Sequence, residues 1–472
     1  MPIQQLPLMK GTGKDYQNAD YIDYLPVNLL ATPKEVLNAA GYMRSFPGIE
    51  KRDDVSGVSR GAEYNIAQGA VYRVCGGGLY KSSDLIANVG GIGRVSMAHS
   101  RTSQAVIVEG QIVMYRYDGS TKVMENWPAS SNYTRYEIGS ARDIIRVRGR
   151  YIWSKDGTDS FFVSDLEDEA HPDRNSAEYR AESQPDGIIG MGAWRDFVVC
   201  FGTSTTEFFS ITGATTAGSA IYVNNPSYFV PKGIAGTHCK CQYLDAFAII
   251  SNPATGAPSV YLMESGQVKI IATSSIEKII RSYPADELAT GVMESLRFDS
   301  HELLIIHLPN HVLVYDAAAS QNGPQWSVLK TGLADDVYRA IDFFYEGNTI
   351  TCGDKFHAVT GQCKFDVSSQ YGERQEHLLY TPLFKADNAR LFDLELESST
   401  GVAQLAERMF ISATTDGINH GREQLISWNT PFRYDQRSIW KRIGRVRKNI
   451  AFKIRIVTGS PVTLSGCQVR TE

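Results

Sequence analysis

Between residues 61 and 370, one unit recurs seven times. Two short runs rich in Val, Ile, Tyr and Phe flank a tight turn, and a longer connection leads to the next pair. The pairs are 71–75 with 79–81, 105–108 with 111–117, 143–147 with 150–153, 196–201 with 206–211, 246–251 with 259–263, 303–307 with 311–315, and 340–345 with 349–352. The turns carry Gly76-Gly77-Gly78, Glu109-Gly110, Gly149, Pro309-Asn310 and Glu346-Gly347-Asn348, residues that reverse a chain within two or three positions. The spacing drifts from roughly 35 to 57 residues, near the period of propeller blades. Antiparallel pairs at that period fit a ring of blades, because closing the ring leaves no long strand edge open to aggregation. Six or seven blades both fit.

The regions on either side differ. Residues 1–60 hold an extended run, Y-I-D-Y-L-P-V-N-L-L, interrupted by Pro26. Thr32-Pro33-Lys34-Glu35 follows as a helix start, with Thr32 as cap, Glu35 in the capping-box position and Gly41 as the stop. Residues 371–472 carry longer alternating runs at 391–397, 408–414, 449–457 and 462–470, which read as sandwich strands. In one of them Phe452, Ile454 and Ile456 alternate with Lys453 and Arg455. Inside the repeat region a helix is expected from Ser274 to Ile280, capped by Ser274 with Glu277 at the box position, and a second short one over 285–295. The fold expected is mainly β: an irregular six- or seven-bladed propeller over 61–370, a β-sandwich-like platform over 371–472, an N-terminal segment over 1–60 that packs with the platform, and a few short helices.

At 472 residues the chain is too long for one ordinary core, and 43% apolar with 21% charged residues excludes disorder as its main theme. The N-terminus lacks the apolar core of a signal peptide, and no run approaches the length of a membrane helix. Seven scattered cysteines read as free thiols of a protein made in a reducing cytoplasm. A formal net charge of -5 argues against a chain whose main work is to grip nucleic acid.

Motifs for chemistry fail one after another. W-S-K-D-G-T-D-S, from Trp153, approaches the Asp box of sialidase-like propellers, but Asp156 and Gly157 are adjacent where that turn needs a residue between them, and the motif is a fold-stabilising turn in any case. Asp165, Glu167, Asp168 and Glu169 follow as a charged run that reads as a wet loop. His301-Glu302-Leu303-Leu304-Ile305 opens like a zinc-protease helix, yet Ile305 stands where the second His is required. His238-Cys239-Lys240-Cys241 is the one dense group of soft ligands, and it lacks a second pair. Gly11-Thr12-Gly13-Lys14-Asp15 lacks the Ser or Thr of a phosphate loop. The residues thus predict no catalytic group, no cofactor and no metal. A carbohydrate-binding or carbohydrate-processing propeller, working through Asp156 or Asp165, is the alternative, and sequence-independent DNA binding is a third reading. Lys441, Arg442, Arg445, Arg447 and Lys448, continued by Lys453 and Arg455, form a basic segment with no acid among them, suited to an acidic partner surface or to phosphates.

Several longer stretches carry a resemblance: Y-I-D-Y-L-P-V-N-L-L-A-T-P-K-E, D-L-E-D-E-A-H-P-D-R, A-E-S-Q-P-D-G-I-I-G, I-T-G-A-T-T-A-G-S-A, S-Q-N-G-P-Q-W-S-V-L-K-T-G, P-L-F-K-A-D-N-A-R-L-F-D-L-E-L-E-S-S-T-G-V-A-Q and P-V-T-L-S-G-C-Q-V-R. From end to end the chain resembles the packaged-DNA-stabilisation, or tail nozzle, proteins of short-tailed phages of enteric bacteria. The resemblance implies a late structural protein of the virion, assembled in the host cytoplasm. It implies a hexameric ring below the portal and head–tail adaptor that closes the channel over packaged double-stranded DNA and later conducts it. The tail needle docks at its far end and tailspikes near the adaptor. It implies no enzyme activity, no cofactor and no membrane anchor. On this reading the loop of Asp165, Glu167, Asp168 and Glu169 is wet or faces the lumen, and Lys441, Arg442, Arg445, Arg447 and Lys448 meet a neighbouring subunit or the adaptor.

Overall fold

The computed structural model describes residues 3–9, 11–15, 19–36, 39–213, 218–264 and 266–471. Seven antiparallel sheets follow one another along the chain, so the propeller has seven blades. Blade 1 runs from Ser59–Asn65 to Asp84–Asn88, blade 2 from Met97–His99 to Thr121–Val123, blade 3 from Ala141–Val147 to Glu178–Arg180 and blade 4 from Ile188–Trp194 to Tyr222–Asn224. Blade 5 runs from Lys240–Tyr243 to Gln267–Ile270, and blade 6 from Val292–Phe298 to Asp336–Val337. Each strand pair expected from sequence lies in a different blade. Its turn chemistry is as expected too: Glu109-Gly110 and Arg148-Gly149 both have two positive φ values, the mirror-image turn whose twist matches the strands it joins.

Blade 7 is built from both ends of the region. Ala340–Glu346, Thr349–Asp354 and Val359–Lys364 supply three strands, and Gly48–Asp54 pairs with Val359–Lys364 as the fourth. This closing strand enters the core through Ile49, fully buried beside Cys352 and Cys363.

Apolar clusters join consecutive blades. Tyr72, Val74 and Leu79 meet Val106 and Val108 between blades 1 and 2; Met114 and Ala105 meet Trp153 and Phe162 between blades 2 and 3. Similar clusters continue round to blades 6 and 7. The seam from blade 7 to blade 1 is instead held by polar contacts: Ser59 Oγ donates to Asp342 at 2.7 Å, Arg73 donates to the Asp342 carbonyl at 3.0 Å, and Glu346, paired with Arg52 inside blade 7, accepts from Ser82.

The second domain is a sandwich of two sheets. One contains Leu29–Thr32, Tyr42–Ser45, Thr463–Thr471, Arg390–Ser398 and Ser438–Arg445, with Ile3–Leu6 added beside Thr463–Thr471. The other contains Gln375–Tyr380, Asn449–Thr458, Glu407–Thr414 and Gln424–Asn429, with Phe384–Lys385 beside Asn449–Thr458. Phe452, Ile454 and Ile456 point into the core with Trp428 and Leu394, while Lys453 and Arg455 lie on the wetter face. Val27 and Asn28 tie the domains together. Val27 bridges Val328 of blade 6 and Leu378 of the sandwich. The Asn28 amide donates to the Glu376 carbonyl at 2.8 Å and accepts from the Lys330 N–H at 2.9 Å.

Three helix expectations are corrected. Thr32 ends a strand opposite Tyr42, and a Val36–Ala39 bridge follows, where a capped helix was expected; residues 37 and 38 lie outside the described residues. Two apolar side chains were too few for an amphipathic face to outweigh strand pairing. Ser274–Arg281 is a helix, but Thr273 is its cap, accepting from the Ile276 N–H at 3.4 Å. Over 285–295 only Ala285–Leu288 is helical, because Val292 already begins the inner strand of blade 6. Among the described residues no helix is long and apolar enough to cross a membrane.

Candidate functional site

Propeller enzymes have the blade axis available as a place to gather functional groups, and here the axis is filled with ion pairs. Asp143 and Asp342 stand at equivalent places, each in a bulge of the inner strand of its blade. The bulge turns the carboxylate out of the inter-blade packing. Asp143 meets Lys240 at 2.9 Å and accepts from the Met191 N–H at 2.7 Å. Asp342 is held by Arg94, Arg73 and Ser59. Burial by itself would raise the Asp342 pKa, but Arg94 and Arg73 overcome it and hold the carboxyl below the ordinary range. Glu294 accepts from the Phe343 N–H at 2.8 Å and lies 2.5 Å from His307 Nε2, with Lys355 Nζ 3.3 Å from the other ring nitrogen. Burial lowers Lys355 to about 8 and His238 to about 3, so His238 is a neutral ring beside Arg94. The mouth of the axis is a depression of about 680 Å³ lined by Arg94, Arg142, Asp156 and His238. Every carboxylate in this network already has a cation or amide partner. The arrangement ties blades 1 and 3 to 7 together, with Arg94 from the segment that leads into blade 2. Sequence reasoning missed it, although a signal existed in the matching openings Ala141-Arg142-Asp143 and Ala340-Ile341-Asp342.

The Asp-box-like stretch is a hairpin turn. Gly157 takes φ 71°, and Trp153 stacks on Phe162 at 5.8 Å inside the blade. Asp156 pairs with Arg142 at 3.1 Å. Asp165 lies beyond the other end of strand Ser160–Val163, so the two carboxylates that would have to flank a sugar bond sit at opposite ends of a strand.

The charged run after it is not uniformly wet. Asp165 is buried, because Arg174 donates to both of its oxygens, at 2.8 and 3.0 Å, and reaches Glu167 at 2.9 Å. Burial pushes the Asp165 carboxyl up, and Arg174 together with the Glu167 and Asp168 N–H groups more than reverses this. Glu169 is half-buried and accepts from the hydroxyls of Ser100, Thr102 and Ser103. Glu167 is exposed, and Asp168, half-buried, lies 3.7 Å from His171. The acids therefore organise a loop around Arg174, which also lies over Trp127 and Tyr133.

The basic segment is different. Lys441, Arg442 and Arg445 lie on Ser438–Arg445, the terminal strand of its sheet, and Arg447 and Lys448 follow in the next turn. All five are exposed, and among the described residues none has an ion-pair partner within the chain. Arg442 has φ 61°, Gly444 has φ 114°, and the pairing with Arg390–Ser398 is interrupted by a bulge. These features spoil the outer edge for strand addition, so a partner would meet side-chain charge here. Arg455 is excluded from the group by its pairs with Glu423 and Glu376.

The soft-ligand and histidine motifs are structural. Cys241 lies on strand Lys240–Tyr243 and Cys239 just before it, where its thiol donates to the Leu288 carbonyl at 3.3 Å, while Lys240 points to Asp143. His301 pairs with Asp316 at 2.6 Å inside strand His301–His307. Gly11–Asp15 is a strand. Among the described residues no group of His, Cys, Asp and Glu could hold a metal ion, and all seven cysteines are free.

Fold and surfaces define a two-domain β-protein, a seven-bladed propeller carrying a sandwich, with its charges mutually paired at the axis and unpaired along one outer edge. The family model described as Bacteriophage P22 Gp10, beta-propeller matches residues 4–368, and that described as Bacteriophage P22 Gp10, beta-sandwich matches residues 376–472. The chain belongs to this family. It is 72% identical over 472 residues, all of both chains, to the tail hub protein gp10 of Salmonella phage P22. Among solved structures, it is similar to the extracellular domain of the putative hybrid two-component system BT4673 from B. thetaiotaomicron, at 10% identity with TM-score 0.42, over 84% of this chain and 47% of that one. It is also similar to the Dos1 propeller, at 9% identity with TM-score 0.37, over 79% and 96%.

Proposed function

We propose that this chain is a structural part of a phage tail: a hub or nozzle ring, with no catalytic activity, that sits below the portal and head–tail adaptor, closes the channel over packaged DNA and conducts it at ejection. The observation that carries the reading is the full-length 72% identity to a tail hub protein, spanning both domains. In this reading the chain is made in the host cytoplasm, assembles as a hexamer in the virion tail, and offers surfaces to the tail needle and tailspikes.

The structure gives the reading physical content. Among the described residues the blade axis is filled by ion pairs, with a depression of about 680 Å³ at its mouth. B-DNA, whose major groove alone is about 12 Å wide, does not pass there. The conduit is then the axis of the ring, between subunits. A wall rich in unpaired Lys and Arg would bind phosphates and act as a brake. The unpaired cations at 441–448 accordingly face a neighbouring subunit or the adaptor, and the wet end of the acidic loop, Glu167 and Asp168, is the lumen candidate.

Electron microscopy of the chain alone and mixed with portal–adaptor particles tests this. Rings seated on the adaptor are expected, and a double reversal, Arg445→Glu with Arg447→Glu, is expected to reduce ring assembly or seating at least tenfold. Normal rings and normal seating in the double variant would remove the docking role. Absence of the chain from particles carrying a complete adaptor would remove the whole reading.

A further inference from the structure

The cleft between blades 2 and 3, at the end bearing the 100–103 turn, gathers cations that no other part of the structure explains. Strand register fixes where they point. Met114 packs in the core between these two blades, and Arg116, two residues on, shares its face; Lys122 is the cross-strand partner of Met114 and lies on that face too. From the other wall, Ile144 packs in the same core and Arg146, two residues on, follows it toward blade 2. Arg101 overhangs from the turn. The four surround a cavity of about 240 Å³ floored by Met114 and Ala170.

Three carboxylates line this cleft beside the cations, and each has partners of its own in its wall or next to it. Glu167 is bound by Arg174, Glu169 by three hydroxyls, and Asp168 by the Ala170 N–H and His171. Among the described residues, Arg101, Lys122 and Arg146 have no ion-pair partner, and Arg116 has only Asp118 at 4.0 Å. The Nε of Arg146 is buried without a hydrogen-bond partner. Like charges facing one another across a narrow cleft repel, and a buried donor without an acceptor is costly. An anion in the cleft would relieve both.

We propose that this cleft is a binding site for a phosphate group, with Arg146 and Lys122 as the principal donors and Arg101 and Arg116 at its rim. The cavity admits a phosphate with a small substituent and is too small for a duplex. A forked guanidinium from one wall and an ammonium from the other suit a tetrahedral dianion, and Leu166, 61% exposed at the lip, offers an apolar contact to its substituent. The site is independent of the proposed tail role.

Isothermal titration of the full chain with glucose 6-phosphate and with tetrathymidylate, at matched ionic strength against sodium acetate, tests the site. Saturable binding of at least one phosphate compound, and none of acetate, is expected. Binding of glucose 6-phosphate alone identifies a phosphorylated small molecule or glycan as the source; binding of tetrathymidylate alone identifies nucleic-acid backbone. Lys122→Met, at an exposed position where folding is not at stake, and Arg146→Met are each expected to weaken binding about tenfold. Unaltered thermal midpoints without ligand would show that both variants are folded. No saturable binding of either compound, or binding unchanged in both variants, would overturn the assignment.

Discussion

Asp342 takes a left-handed backbone conformation, φ 61°, in the strand where the last blade meets the first, and its carboxylate is buried between Arg94 and Arg73. Asn tolerates that conformation, so Asp342→Asn isolates the charge. Removing it leaves two guanidinium groups facing each other across the seam, and a loss of about 3 kcal/mol of stability at pH 7 is expected in urea denaturation. The pH dependence has a definite sign. The folded carboxyl titrates below the ordinary 3.8, so its stabilisation is present above that value and is lost as pH falls through the folded value. The variant should therefore show a flatter decline below pH 4 (about where an unperturbed Asp titrates) than the parent; identical slopes would remove Asp342 as the titrating lock. Beyond the matching openings at Asp143 and Asp342, the partners of this carboxylate were not legible in the sequence. Arg94 and Asp342 are far apart in the chain, and only ring closure makes them neighbours. The acidic run at 165–169 misled for a different reason: Arg174 is close in sequence, but no pattern marks it as the partner that draws Asp165 inside.

Strands that pair with their neighbours in sequence were readable, because each hairpin carries its own turn residues and alternation. Short outer strands such as Thr121–Val123 and Glu178–Arg180 were not, being too brief and too exposed to leave an apolar pattern. The closing strand Gly48–Asp54 was invisible as part of blade 7, since its partner lies some 300 residues on and its own face is half charged. Truncating its one deep anchor, Ile49→Ala, is expected to cost about 2–5 kcal/mol. Hydrogen exchange should accelerate first in Val359–Lys364 and Gly48–Asp54, with blades 2 to 4 unchanged at the same denaturant. Uniform acceleration in all blades would mean that blade 7 does not open by itself. The false helix at Thr32 belongs to this scale too: its capping letters were sound, but a neighbouring strand at Tyr42–Ser45 claimed the backbone.

Across the whole molecule, propeller and sandwich meet through Val27, Asn28 and the strand that carries His377. The His377 ring is buried, with Nδ1 3.3 Å from the Asn28 carbonyl and Nε2 3.2 Å from Ser368 Oγ. Burial lowers its pKa from 6.5 to about 4. The unfolded chain takes up the proton first as pH falls, so stability should decline between 6.5 and 4, by on the order of 3 kcal/mol from this residue. His377→Gln should lessen that decline, read as the difference in denaturation midpoint between pH 7 and pH 4.5; an undiminished difference would place the acid sensitivity elsewhere. The sandwich also has a consequence for biogenesis. Ile3 lies opposite Arg470 and Gln5 opposite Gln468, and Thr463–Thr471 runs between Arg390–Ser398 on one side and strands from the first forty-odd residues on the other. Ile3–Leu6 and Tyr42–Ser45 thus lack their sheet partner until Thr463–Thr471 has been made. A polypeptide that stops before residue 463 has no centre to that sheet, so premature termination leaves Arg390–Ser398 and the N-terminal strands with open edges.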